Sequence, residues 1–137
     1  MKHEQRMVVG LDIDGTITAA PDFFRMVSDA VYKTDGRVIV VSARSNTSLS
    51  RTETAAELQR LGIRYSKLFL LPEGGAMLGD PPTELGCLER YLWQKVHICE
   101  SEGVEVFFDD DDTVVSLFAH YTTGIQVFQP VFPIYYR

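Results

Sequence analysis

Four stretches of this chain, 7–11, 37–41, 67–71 and 104–108, read as continuous apolar runs rich in Val, Ile, Leu and Phe. They do not alternate apolar with polar residues, as a strand with one wet face would. Continuous runs mark strands covered on both faces, the habit of a parallel sheet. A shorter run at 125–128 is a fifth candidate. Helical patterns separate them. One spans 22–34, follows Pro21 and stops at the turn pair Asp35-Gly36. The next, 50–61, opens with Ser50-Arg51-Thr52-Glu53, a capping-box pattern, turns Thr54, Leu58 and Leu61 inward and ends at Gly62. A third, 82–101, carries Leu85, Leu88, Leu92, Val96 and Cys99 as one apolar stripe. The last, 113–121, stops before Gly124. Strands alternating with helices predict an α/β fold: a doubly wound, Rossmann-like parallel sheet of about five strands with flanking helices. At 137 residues the chain is expected to form one domain, 1–137.

Other classes are excluded in turn. No apolar run approaches the roughly 20 residues of a membrane helix, so no membrane insertion is expected. The first residues, Met1 to Arg6, contain no apolar signal segment. Cys87 and Cys99 fall in one helical pattern, about 18 Å apart along its axis, and are read as reduced packing residues. A cytoplasmic location is the expectation. The net charge of −6 argues at first against a nucleic-acid or acidic-membrane binder.

In a doubly wound sheet, ligands bind outside the C-terminal ends of the strands. The first strand is followed by Asp12-Ile13-Asp14-Gly15-Thr16, the second by Ser42-Ala43-Arg44 and the fourth by Asp109 to Asp112. Two groups of carboxylates meeting at one edge would repel and raise each other's pKa. A divalent cation relieves that, and an oxygen-only donor set suits Mg²⁺. Asp12 is placed to attack phosphorus, forming an acyl-phosphate. Asp14 is placed to protonate the leaving oxygen and then to deprotonate water. Gly15 permits the sharp turn. Ser42 offers a hydroxyl to a phosphate oxygen, and Arg44 a guanidinium for bidentate phosphate binding.

The runs Val8 to Thr16, Val38 to Ser42 and Val106 to Asp110, each after an apolar strand and in this order, resemble the haloacid dehalogenase (HAD) superfamily of phosphohydrolases. The resemblance spans residues 7 to 129. It implies a Mg²⁺-dependent phosphomonoester hydrolase working through an aspartyl-phosphate. Asp12 would be the nucleophile and Asp14 the acid/base. Asp12, Asp14 (through its backbone carbonyl), Asp109 and Asp110 would surround the metal. Thr16, Ser42, Ala43 and Arg44 would lie on the substrate side. The family also has a cation that offsets the charge of nucleophile and phosphate, usually near the start of the helix before the fourth strand. Arg90 lies nearer that start and Lys95 well inside the helix, so both stand as candidates, with Lys67 a less favoured third.

No segment is left for a cap domain. The 14–42 stretch is filled by one helix and its turns, and the stretch after Ser42 by two helices and a strand. An open site implies a phosphorylated substrate that is accessible and bulky, or a macromolecular end. Ser42-Ala43-Arg44, Arg51, Thr54, Leu61 to Tyr65 and Leu68-Phe69 are also similar to the 3′-phosphatase part of polynucleotide kinase-phosphatases, and the 13–18 stretch with Ser42-Ala43-Arg44 to lipin-type phosphatidate phosphatases. The alternative is a non-catalytic binding or regulatory module on the same fold.

Plainer roles stand beside these. Asp-Gly is a common turn pair. Asp111 and Asp112 suit an N-cap and a first helical turn, a role favoured for Asp112. His3, His97 and His120 lack metal-ligand spacing, and Trp93 is read as packing. Glu73-Gly74-Gly75 is read as a flexible connection. The aromatic tail 127–137 is read as covering a sheet edge or forming a homo-oligomer contact. The charge also acquires a location. Asp12, Asp14 and Asp109 to Asp112 are six of the 19 acids, and without them acids and bases stand equal at 13. The excess charge marks a site rather than excluding an anionic partner.

Overall fold

The computed structural model describes residues 6–72 and 77–131. The strands are β1 (Val8–Leu11), β2 (Arg37–Ser45), β3 (Lys67–Leu71), β4 (Val106–Phe108) and β5 (Gln126–Phe128). They form one sheet in the order β3-β2-β1-β4-β5, with every pairing parallel. The helices are α1 (Pro21–Lys33), α2 (Ser48–Arg60), α3 (Cys87–Ser101) and α4 (Asp112–Tyr121). The predicted α/β sheet of five strands is therefore the observed one.

Successive strand residues point to opposite faces, and the core divides accordingly. Val9, Leu11, Val38 and Val40 pack with Phe24 and Val31 of α1 and Leu58 of α2. Val8, Ile39, Val41, Leu71 and Phe107 pack with Leu92, Val96 and Cys99 of α3 and Val114, Leu117 and Phe118 of α4. Both faces are covered, which is why the runs lack alternation.

Some boundaries differ from the sequence reading. The helix expected at 82–101 begins at Cys87, so Leu85 lies before it, and Leu88 is 64% exposed rather than part of the buried stripe. Leu88 lies on the same side of α3 as Leu92, one turn earlier, but in the first turn of the helix, where it is left uncovered. The cap of α2 is Thr47, whose side chain accepts from the Ser50 backbone N–H, not Ser50 itself. In α4, Asp111 is the cap and Asp112 the first helical residue. The Glu73-Gly74-Gly75 connection and the tail from residue 132 lie outside the described residues. Among the described residues no helix is long and apolar enough to cross a membrane.

The strand order places the site. From β1 the chain steps outward to β2 and β3, then returns across the sheet to β4 on the other side of β1. The loops leaving β1 and β4 thus diverge to opposite faces, and a crevice opens between them.

Candidate active site

At the end of β1 the Asp12 N–H donates to the Phe108 carbonyl at 3.0 Å, tying the start of the crevice to β4. The chain then winds through 13–17, with Gly15 at φ +81°. A side chain here would be strained by that φ. It would also collide, because a Cβ on Gly15 would lie 2.2 Å from Asp110 Oδ2. Glycine thus lets the two acidic segments touch. Thr16 is buried beneath them, its hydroxyl 3.1 Å from Asp12 Oδ2 and 3.3 Å from Asp110 Oδ1.

At the end of β4, Asp109 is buried, and its Oδ1 accepts from the Asp111 N–H at 3.0 Å. Asp111 in turn caps α4 by accepting from the Val114 N–H at 3.1 Å. Gln129 donates to the Asp110 carbonyl and to Asp112 Oδ1, pinning the acidic loop from the far side. Lys95, from the middle of α3, inserts Nζ between the strand ends, 2.9 Å from Asp12 Oδ1 and 2.7 Å from Asp109 Oδ2.

Burial, with the neighbouring Asp109 adding to it, raises Asp12 to about 7 against the pull of Lys95. Asp109 is raised for the same first reason. Burial alone would lower Lys95, but its two carboxylate partners outweigh it and hold the ammonium above its ordinary value. One ammonium cannot neutralise three carboxylates. One oxygen each of Asp12, Asp109 and Asp110 lies within 4.8 Å of the others, so the cluster could hold a metal ion. Hard oxygen donors and unbalanced negative charge fit a divalent cation such as Mg²⁺.

The end of β2 supplies the third wall. The register with β3 runs Ser42 opposite Leu70 and then Ser45 opposite Leu71, leaving Ala43 and Arg44 as an irregularity in the strand. Such bulges re-aim side chains. Ser42 is buried, and its Oγ accepts from the Arg44 N–H at 3.1 Å. Tyr91 of α3 donates to the Ala43 carbonyl at 2.9 Å. Arg44 grips Asp14 with two bonds, Nε to Oδ2 at 2.9 Å and Nη2 to Oδ1 at 2.7 Å. These bonds hold the Asp14 carboxyl below its ordinary range.

Asp12, Asp14, Ala43, Lys95, Asp109 and Asp110 line one cleft of about 170 Å³, with Leu92 and Val114 as apolar walls. Of the two cationic candidates, Lys95 lies within the cluster. Arg90 does not join it, and donates instead to the Pro82 carbonyl at 3.1 Å. Five positions separate the two on α3, so they project about 140° apart around the helix axis. The Asp14 carboxylate is likewise outside the three-carboxylate group, being taken up by Arg44. Lys67, the third candidate, pairs with Glu102. The sequence reading missed Glu57, which Arg44 Nη1 reaches at 2.7 Å. Its spacing of three from the inward-facing Thr54 was the available signal.

No protein-family model matches the chain, and no curated protein matches it. Among solved structures it is similar to a chain of the Pnkp1/Rnl/Hen1 complex, with TM-score 0.65 and 20% identity over 94% of this chain and 47% of that one. A chain of the Pnkp1/Rnl/Hen1 RNA repair complex gives TM-score 0.64 and 20% identity, over 91% of this chain and 42% of the other. This chain therefore spans less than half the length of either. At that identity the likeness shows the fold.

Proposed function

We propose that the chain is a divalent-cation-dependent phosphomonoester hydrolase of the capless HAD type, acting on an accessible phosphate, including one at a nucleic-acid end. The observation that carries this reading is Lys95 bridging Asp12 and Asp109 at the divergence of β1 and β4. A structural ion pair would need one carboxylate; two facing a common cleft with a third beside them suit a site that receives both a cation and an anion. Likeness in fold to a chain of an RNA repair complex supports including nucleic-acid ends among the substrates.

A bound Mg²⁺, held by Asp12, Asp109 and Asp110, would supply positive charge to the phosphate oxygens. The chain's own groups do the rest. An Asp12 carboxylate oxygen bonds to phosphorus while the bond from phosphorus to the leaving oxygen breaks; Asp14, which Arg44 favours in its ionised form, must first take up a proton from solvent with the substrate in place, and then gives it to that oxygen. In the second half Asp14 takes a proton from water, whose oxygen bonds to phosphorus as the bond from Asp12 breaks. Inorganic phosphate leaves. Lys95 opposes the effect of burial on Asp12 and offsets the added charge, and Ser42 would offer its hydroxyl to a phosphate oxygen, whereas Arg44 spends its donors on Asp14, Thr54 and Glu57.

The test is hydrolysis of a nitrophenyl phosphate with Mg²⁺. The unsubstituted chain is expected to release phosphate, and Asp12→Asn to lose at least about 1,000-fold in kcat, as removal of a covalent nucleophile does. Absence of turnover on aryl, sugar, peptide and 3′-phosphorylated oligonucleotide esters alike would overturn the reading in favour of a non-catalytic module.

A further inference from the structure

Arg44 is held on two edges. Nε and Nη2 clamp Asp14, while Nη1 donates to Thr54 Oγ1 at 3.2 Å and to Glu57 Oε1 at 2.7 Å. Thr54 and Glu57 stand three apart on α2, so one helical face presents both acceptors. Thr54 is buried against the core and Glu57 is mostly covered. A guanidinium is planar, with its donors in a fixed fork, so gripping Nη1 fixes the plane in which Nε and Nη2 point. The Asp14 side chain, by contrast, is 64% exposed. The bidentate pair fixes the carboxyl and the guanidinium relative to one another, but not relative to the cleft. Whatever orients Asp14 must come through Arg44, and Arg44 leaves β2 at an irregularity, where the strand alone does not fix it.

We infer that Glu57 is a positioning residue: it anchors Arg44 to α2 and, through Arg44, sets where the Asp14 carboxyl stands over the cleft. The catalytic consequence rests on the phosphatase reading; the anchoring itself does not. Glu57 does not line the cleft, and it bonds to Arg44 rather than to Asp12. Its loss should therefore damage the proton delivered by Asp14 and spare the attack by Asp12. The leaving group separates the two. An aryl phosphate departs as a stabilised phenolate and needs little help from an acid, whereas an alkyl phosphate needs the proton.

The experiment compares Glu57→Ala and Glu57→Gln with the unsubstituted chain on both ester types in Mg²⁺, and follows the Arg44 Nε–H by NMR without substrate. Glu57→Ala should lower kcat for the alkyl ester by about 10- to 100-fold and for the aryl ester by no more than about threefold. Glu57→Gln, which keeps an acceptor for Nη1, should recover most of the loss. Exchange of the Arg44 Nε–H with solvent should accelerate in Glu57→Ala. Equal losses on both esters, or unchanged Nε–H exchange, would overturn the inference. If the unsubstituted chain hydrolyses neither ester, the phosphatase reading falls on that result. The exchange rate then decides the anchoring, acceleration upholding it and no change overturning it.

Discussion

Lys95 Nζ sits between Asp12 and Asp109 with 3% of its side chain exposed. Removing one partner of a buried ion pair leaves uncompensated charge in a low-dielectric site, a loss of about 3–5 kcal/mol. Removing Asp12 is different. Lys95 keeps Asp109, and the carboxylate removed is one that burial already penalises. Urea unfolding of the metal-free chain is therefore expected to rank Lys95→Ala well below Asp12→Asn in stability. The reverse order would contradict the buried bridge. At this scale the sequence was legible where chemistry restricts the residue type. Asp12, Asp109 and Ser42 follow apolar runs, and Gly15 fills a place where its neighbour's carboxylate leaves no room for a Cβ. The choice between Arg90 and Lys95 was not legible. It turns on the rotation of α3 against the sheet, which sequence spacing does not fix.

Helix ends show the same division. The capping pattern at Ser50 and Glu53 pointed to a cap three residues too late, because Thr47 presents an equally good acceptor and the tertiary path of the chain selects it. Thr47→Ala should cost about 1 kcal/mol in thermal or urea unfolding, and Ser50→Ala less than about 0.5 kcal/mol. Equal costs would return the cap to Ser50. The α3 stripe was legible at Leu92, Val96 and Cys99, where packing against the sheet enforces it. It failed at Leu88, where the first turn of the helix extends past its neighbours and burial no longer follows periodicity. The irregularity at Ala43 and Arg44 left no pattern in the sequence, since the apolar run ends before it.

For the whole molecule, the strand runs and helical intervals specify a parallel doubly wound sheet, and the reversal of strand order at β1 brings the acidic segments together. Their proximity makes stability depend on pH and cation. Asp12 is raised from 3.8 to about 7, so the metal-free folded chain keeps a proton there that the unfolded chain has released across that window. The stability this group contributes is present below 3.8 and lost as pH rises through about 7. Mg²⁺ competes with that proton. Its effect on Tm should be small at about pH 5 and larger at about pH 8, where a tenfold excess over Kd gives about 1.4 kcal/mol, or roughly 3–5 °C. A Tm that Mg²⁺ leaves unchanged at both pH values would count against a metal in the cleft. The mechanism turns on Asp12 carrying the phosphoryl group. Borohydride quenching during turnover of an aryl phosphate in Mg²⁺ reduces an acyl-phosphate to the alcohol, and peptide mass spectrometry then locates it. Homoserine is expected at position 12, and none in Asp12→Asn. Turnover with Asp12 unmodified, or capture at Asp14 or Asp109 instead, would contradict the mechanism.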